Sequence, residues 1–227
     1  FDFADIAHIE VLKGPQGTLY GRNTMAGLVA IKTLSPLEKQ GSKVKLSFGN
    51  YNLWGVNAST SQKITDNLAV ALNARYRSDE GYFKNQYTQR QYPVGGGRIQ
   101  IDWRASQRWK LSLTGDYESS DQQGYPYAYY DKAQHKTGDI AYNDEASYRR
   151  DLLTSGLSAQ YIHDRFIFTS TTGYQYLDDD MHLDQDFTPL SIFTLQQKQQ
   201  MHAVSQEFAI KSHQGKRWEW VGGLFGF

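Results

Sequence analysis

The chain has 227 residues, with 24 Lys plus Arg against 24 Asp plus Glu and no cysteine. Zero formal charge argues against nucleic acid as the main partner, and the missing thiols exclude disulfides and thiolate metal sites. No stretch of apolar residues reaches the ~18 needed for a transmembrane helix, but a β-barrel is not excluded, because its strands alternate lipid-facing and lumen-facing residues.

Residues 1–36 differ from the rest. Ile6, Ile9, Val11 and Leu12 form a short apolar run, Gly14-Pro15-Gln16-Gly17 is turn chemistry, and Leu28 to Ile31 is a second apolar run before Ser35-Pro36. The segment reads as strand, tight turn, irregular or helical piece, strand: the end of a compact unit.

From Ser42 the hydrophobic period becomes two. Leu68, Val70, Leu72, Ala74 and Tyr76 share one face, with Asn73, Arg75 and Arg77 opposite. Ile99, Ile101 and Trp103 alternate with Arg98, Gln100 and Asp102. Trp109, Leu111, Leu113 and Tyr117 alternate with Lys110, Ser112, Asp116 and Glu118. Such alternation predicts half-buried strands, nine of them, near 42–49, 53–63, 67–78, 94–104, 107–119, 149–162, 165–178, 201–212 and 216–227. Composition agrees: 16 Tyr and 20 Gly stand against only five Pro.

The connections alternate in length. Thr65-Asp66, Ala105-Ser106, His163-Asp164 and His213-Gln214-Gly215 are short turns, whereas about 15, 29 and 22 residues follow the third, fifth and seventh strands. Short turns on one side and long loops on the other are the pattern of outer-membrane barrels. Trp103, Trp109, Tyr161, Phe166 and Trp218 lie near short turns, while Tyr76, Tyr117, Tyr174 and Tyr176 lie toward the long loops. Two belts of amphipathic rings suit two membrane–water interfaces. The competing reading is a soluble sheet whose rings pack a core.

The most specific segment is Ile9-Glu10-Val11-Leu12-Lys13-Gly14-Pro15-Gln16-Gly17-Thr18-Leu19-Tyr20-Gly21-Arg22-Asn23-Thr24. It resembles the C-terminal half of the plug of TonB-dependent outer-membrane receptors, which carry an I-E-V-L-R-G-P-x-x-x-L-Y-G pattern, a glycine pair and a short strand before the barrel. Leu28-Val29-Ala30-Ile31-Lys32-Thr33 stands where that strand belongs. Lys13 replaces the usual Arg, keeping the charge but losing the fork, and Ala26 replaces the first glycine of the pair.

The resemblance implies an all-β fold: a partial transmembrane antiparallel β-barrel, about nine strands of an expected 22, preceded by the end of an α+β plug. Residues 1–36 would close the plug and 37–227 open the barrel. The chain starts on Phe1 and ends within a strand-like run, so it is expected to be a fragment cut at both ends. Glu10, Lys13, Gly14, Pro15, Tyr20, Gly21, Arg22 and Gly27 would shape the plug turns and anchor plug to wall, with ordinary surface charge as the other reading of Glu10, Lys13 and Arg22. The implied function is uptake of a scarce ligand, foremost a ferric siderophore, across the outer membrane of a Gram-negative bacterium. Energy would come from the inner-membrane TonB complex through a Ton box outside this sequence. The partners would be that complex, the ligand and outer-membrane lipid, with no cofactor. Tyr20, Arg22 and Asn23 in a plug loop, and Tyr125, Tyr127 and Tyr129 in the longest outer loop, are the candidate ligand contacts. The tyrosines could equally pack the loop on itself.

Other signals are plainer. Asp178, Asp180, Asp184 and Asp186 are dense enough in oxygen to suggest calcium, but a solvated acidic loop fits better because like charges repel. Gly95-Gly96-Gly97 lacks the Lys-Ser/Thr of a phosphate loop and reads as close packing in a strand. The six histidines form no zinc-type pair, and no nucleophile sits in an elbow motif, so no enzyme is expected. The alternative function is a structural or adhesive outer-membrane barrel without energy-coupled transport.

Overall fold

The computed structural model describes residues 6–15, 25–87, 92–215 and 217–227. All its regular elements are strands. β1 (Ile6–Lys13) and β2 (Gly27–Thr33) form a separate antiparallel pair. The main sheet begins with β3 (Gly41–Gly49), β4 (Leu53–Lys63), β5 (Leu68–Ser78), β6 (Val94–Trp103) and β7 (Trp109–Gln123). A small hairpin, β8 (Tyr130–Asp131) and β9 (Lys136–Thr137), sits in the longest loop. The sheet resumes with β10 (Ser147–Ile162), β11 (Phe166–Asp184), β12 (Thr194–Ser212) and β13 (Val221–Gly226). The nine-stranded order is β13-β12-β11-β10-β7-β6-β5-β4-β3, a continuous up-and-down meander.

Register follows the hydrophobic alternation. Leu72 faces Ile99, Ile101 faces Leu113, Tyr117 faces Leu153 and Trp109 faces Tyr161, so rings and aliphatic chains form continuous rows on one face. A one-residue slip on any strand would turn its whole apolar set to the polar side. That apolar face has no protein cover: Leu72 is 48% exposed and Leu157 47%. The buried apolar side chains among the described residues are Pro36, Leu37, Ala69, Tyr142 and Ala146, too few for the core of a soluble domain. The polar face is the better covered one, with Gln100 and Asp102 buried. This inside-out arrangement disposes of the soluble-sheet reading, because a face this apolar needs lipid against it.

Gly96 shows why the glycine run belongs in a strand. A Cβ there would collide with the Tyr117 carbonyl, and one at Gly97 would lie 3.2 Å from the Asn73 carbonyl. Neighbouring backbones approach closely on both sides of β6.

Several boundaries move. β7 and β11 run past the predicted ends to Gln123 and Asp184, and β12 starts at Thr194 rather than near residue 201. The seventh connection therefore shrinks to residues 185–193, and the acidic run expected as a loop is largely strand. Alternation continues through 178–184, but Met181 and Leu183 fall on the face of Gln175 and Asp179, while Asp178, Asp180 and His182 fall on the face of Tyr174 and Tyr176, so the polar and apolar faces trade places and hydropathy hides the strand. The final strand is confined to Val221–Gly226. The irregular piece expected between β1 and β2 falls on residues 16–24, outside the described ones.

Candidate functional site

Three polar constructions lie on or above the polar face. The first fastens the segment after β2 to the sheet. Thr33 Oγ1 donates to Gln100 Oε1 at 3.1 Å, and Ser35 Oγ donates to Asp102 Oδ2 at 2.5 Å. Asp102 also accepts from Ser112 Oγ at 2.7 Å and from the Gln100 amide. Ser35 then starts a tight turn, its carbonyl accepting from the Glu38 and Lys39 amides, and Pro36 and Leu37 are buried beneath it.

The second is an ion network across three strands. Arg75 Nη2 lies 3.4 Å from Asp116 Oδ1 and 3.1 Å from Glu118 Oε2, while Arg150 Nη2 lies 2.8 Å from Glu118 Oε1. Arg75 and both carboxylate side chains are at most 15% exposed. Register brings them together: Glu118 lies opposite Leu152 on β10 and Gly96 on β6, and the bare glycine leaves room for Arg75 to reach across. The alternation predicted charges on this face, but only strand pairing says which of them meet.

The third lies at the long-loop end. The loops that follow β5 and β7 meet there through their described residues: the Gln86 backbone amide donates to the Ile140 carbonyl at 3.1 Å, and Asn85 Nδ2 donates to the Tyr142 carbonyl at 3.0 Å. Between them is a cavity of about 540 Å³, lined by Tyr51, Phe83, Tyr92, Tyr125 and Tyr142 with Glu80, Lys84 and Glu145 among the polar groups. Tyr142 Oη accepts from the Tyr125 amide at 3.1 Å. Burial pushes the Tyr92 and Tyr125 phenols above their ordinary pKa, so both stay protonated and able to donate. Aromatic walls with a few polar tips suit a compact organic ligand carrying rings or a chelated charge.

The sequence-predicted contacts divide. Tyr125 lines the cavity, and Tyr127 stacks on it at 6.0 Å while meeting Phe187 edge-on at 5.0 Å. Tyr129 stands apart, 76% exposed, its carbonyl accepting from the Gly138 amide. Tyr20, Gly21, Arg22 and Asn23 lie outside the described residues. Glu10 pairs with His8 on its own strand at 3.0 Å, and Thr33 and Ser35, unremarkable in sequence, are bonded to the wall. Gly14, at φ +83°, makes the turn that Pro15 follows. Gly27, at φ +140°, places its Cα where a Cβ would stand 2.5 Å from the Leu12 carbonyl. Lys13 lies opposite Gly27 at the end of the β1–β2 pair.

The acidic run does not converge on a cation. Asp178 and Asp180 belong to one face of β11, bound to Gln200 and to Lys198 and Gln196. Asp184 is fully buried and accepts from the Asp144 and Phe187 amides. Asp186 caps the turn at Thr188. Among the described residues no three His, Asp or Glu side chains gather as a metal site requires.

No family model matches the chain. It is 32% identical over 123 residues to the ferrioxamine B receptor of Salmonella typhimurium, covering 52% of this chain and 17% of that protein. It is 29% identical over 149 residues to the vitamin B12 transporter BtuB of Vibrio vulnificus, covering 61% and 24%. Its fold matches the ferric yersiniabactin uptake receptor FyuA of Yersinia pestis with a TM-score of 0.81 at 19% identity, over 97% of this chain and 35% of that one. It also matches the pyoverdine outer membrane receptor FpvA of Pseudomonas aeruginosa with a TM-score of 0.77 at 15% identity, over 99% and 35%. The nine-stranded sheet is thus part of a barrel wall, its polar face toward the lumen, and the resemblance read from residues 9–33 holds. The chain spans about a third or less of each of these proteins.

Proposed function

We propose that this chain, similar in sequence and fold to TonB-dependent outer-membrane receptors, supplies the end of the plug (residues 1–36) and the first part of the barrel wall (37–227) of an active uptake receptor. The relatives it matches are named as receptors and transporters, not enzymes. The site is the outer membrane of a Gram-negative bacterium. The ligand is scarce and extracellular, foremost a ferric siderophore. It enters between the long loops, and the TonB complex remodels the plug to pass it inward.

The carrying observation is the aromatic cavity at the long-loop end, formed between two docked loops and standing over a charged wall. An adhesive barrel has no need of a walled chamber of about 540 Å³ above its lumen. The chamber also matches the range of ~300–1,000 Å³ typical of small-molecule sites.

The test is uptake by iron-limited cells that carry the full-length receptor or lack its gene. Ferrioxamine B and yersiniabactin, both loaded with radioactive iron, and labelled vitamin B12 are the probes. Receptor-dependent accumulation of one of them, lost when the proton-motive force is collapsed, is the expected result. Accumulation indifferent to the gene or to the proton-motive force would favour a structural or adhesive barrel.

A further inference from the structure

At the end of the sheet opposite the long loops, every described turn apart from the β4–β5 one carries arginine next to an aromatic ring. Trp103-Arg104 and Arg108-Trp109 flank the turn between β6 and β7. Arg165-Phe166 closes the turn between β10 and β11, and Arg217-Trp218 lies in the one between β12 and β13. Trp103, Trp109 and Trp218 are 46%, 43% and 79% exposed, and Trp109 packs on Tyr161 at 5.0 Å. Such rings settle at the membrane–water interface, which puts the adjoining arginines at headgroup depth.

Most of the arginine charge there is unpaired. Arg108 has a carboxylate partner, Asp164 at 3.5 Å, but both side chains are more than half exposed, so the pair is weak. Arg104, Arg165 and Arg217 are exposed and make no ion pair among the described residues. Glu219 is taken up by the Gly215 amide at 2.8 Å. The opposite end of the sheet is built differently: Arg77, Arg149, Arg150 and Lys198 each have a carboxylate within 4 Å. One rim therefore holds free guanidinium charge and the other neutralises its strand-borne cations.

We propose that the short-turn rim is a binding surface for anionic phospholipid in the leaflet that those turns face, with Arg104, Arg165 and Arg217 taking headgroup phosphates. The proposal rests on the membrane-barrel reading of the fold. Guanidinium is the cation suited to this place: it is weakly hydrated, stays charged, and presents a planar fork that matches two phosphate oxygens. Unpaired positive charge at an interface selects anionic over zwitterionic lipid.

The test uses the full-length receptor, purified in detergent and offered equimolar phosphatidylglycerol, phosphatidylethanolamine and phosphatidylcholine. Bound lipid is counted by native mass spectrometry. Retention of phosphatidylglycerol at least fivefold over the others is expected, falling to near parity in the triple variant Arg104→Gln, Arg165→Gln, Arg217→Gln. The triple Arg→Lys variant should keep an intermediate preference. Heat-modifiable gel mobility of each variant, a separate readout, reports whether the barrel itself forms, so a folding failure is distinguished from lost lipid selection. Equal binding of the three lipids by the wild type, an unchanged preference in the glutamine variant, or displacement by millimolar inorganic phosphate alone would overturn the proposal.

Discussion

The Tyr117 hydroxyl donates to Asp151 Oδ1 at 2.6 Å, joining β7 to β10 at the level where the apolar rows end. Tyr117 lies opposite Leu153, below the contact, and Asp151 lies opposite Ser119 and Asp178, above it. Tyr176 repeats the arrangement toward Asp178 at 3.2 Å. These tyrosines keep their rings in the apolar row and hand their hydroxyls to carboxylates in the polar one, which marks the outer membrane boundary on the molecule.

Because Asp151 and Asp178 are directly opposed, their charges repel. Asp151→Asn should therefore be neutral or slightly stabilising, since the amide oxygen still accepts from Tyr117. Tyr117→Phe removes the donor and should cost about 1 kcal/mol. Urea unfolding of the full-length barrel, followed by gel mobility, checks the opposite signs. Equal destabilisation by both changes would show that charge at Asp151 matters more than its hydroxyl contact.

The ion network gives a larger effect. Glu118→Gln leaves Arg75 and Arg150 sharing weaker acceptors on a poorly exposed wall, and should cost about 3 kcal/mol. Replacing Arg150 by Gln in the same background should restore part of that loss, because the stranded charge goes with it. A double-mutant cycle in urea reads the coupling. Strict additivity would mean that water in the lumen already screens these groups.

Ser35 and Asp102 decide how firmly the chain after β2 is held. Among the described residues no backbone ladder joins the β1–β2 pair to the nine-stranded sheet, so the Thr33 and Ser35 side chains are its fastening on the side toward residue 37. Ser35→Ala removes a charge-assisted bond and should weaken the attachment by about 2 kcal/mol. Limited proteolysis of the full-length receptor should then cut within 25–40 several times faster. An unchanged rate would assign the hold to burial of Pro36 and Leu37.

What the sequence revealed follows from what alternation can encode. Leu68 to Tyr76 and Trp109 to Tyr117 each declared a strand and its lipid face, because one face is apolar and the other is not. The same strands could not reveal that Arg75 reaches Glu118, since that contact depends on pairing across β6 and on the absence of a side chain at Gly96. Asp178 to Asp184 did not declare a strand, because Met181 and Leu183 share the face of Asp179 while Asp178, Asp180 and His182 follow Tyr176, so the polar and apolar faces trade places along β11. Tyr125 was found by clustering with Tyr127 and Tyr129. Its cavity partners Tyr51 and Phe83 come from two other segments and Tyr142 from the far side of its own loop, and none of them carries a local mark.

Asp186 supplies a pH-dependent prediction. Its carboxylate accepts from Thr188 Oγ1 at 2.6 Å and from the Thr188 and Ile192 amides, which hold its pKa below the usual aspartate range, the hydroxyl bond being the largest cause. A folded pKa below the unfolded one means that the group stabilises the loop above the unfolded value, about 3.9, and loses that contribution as pH falls through the folded value. Loop 185–193 should therefore keep its shape down to about pH 4 and loosen below it. Thr188→Val removes the hydroxyl and should move the loosening to higher pH, toward the ordinary aspartate range. Amide hydrogen exchange at Thr188, Ile192 and Phe193 in the full-length receptor follows this directly. Since Phe187 packs on Tyr127, and Tyr127 on Tyr125, the loosening should reach the cavity wall and weaken ligand binding over the same interval. Exchange that accelerates without any change in binding would uncouple this loop from the chamber and leave Tyr125 to be held by Tyr142 alone.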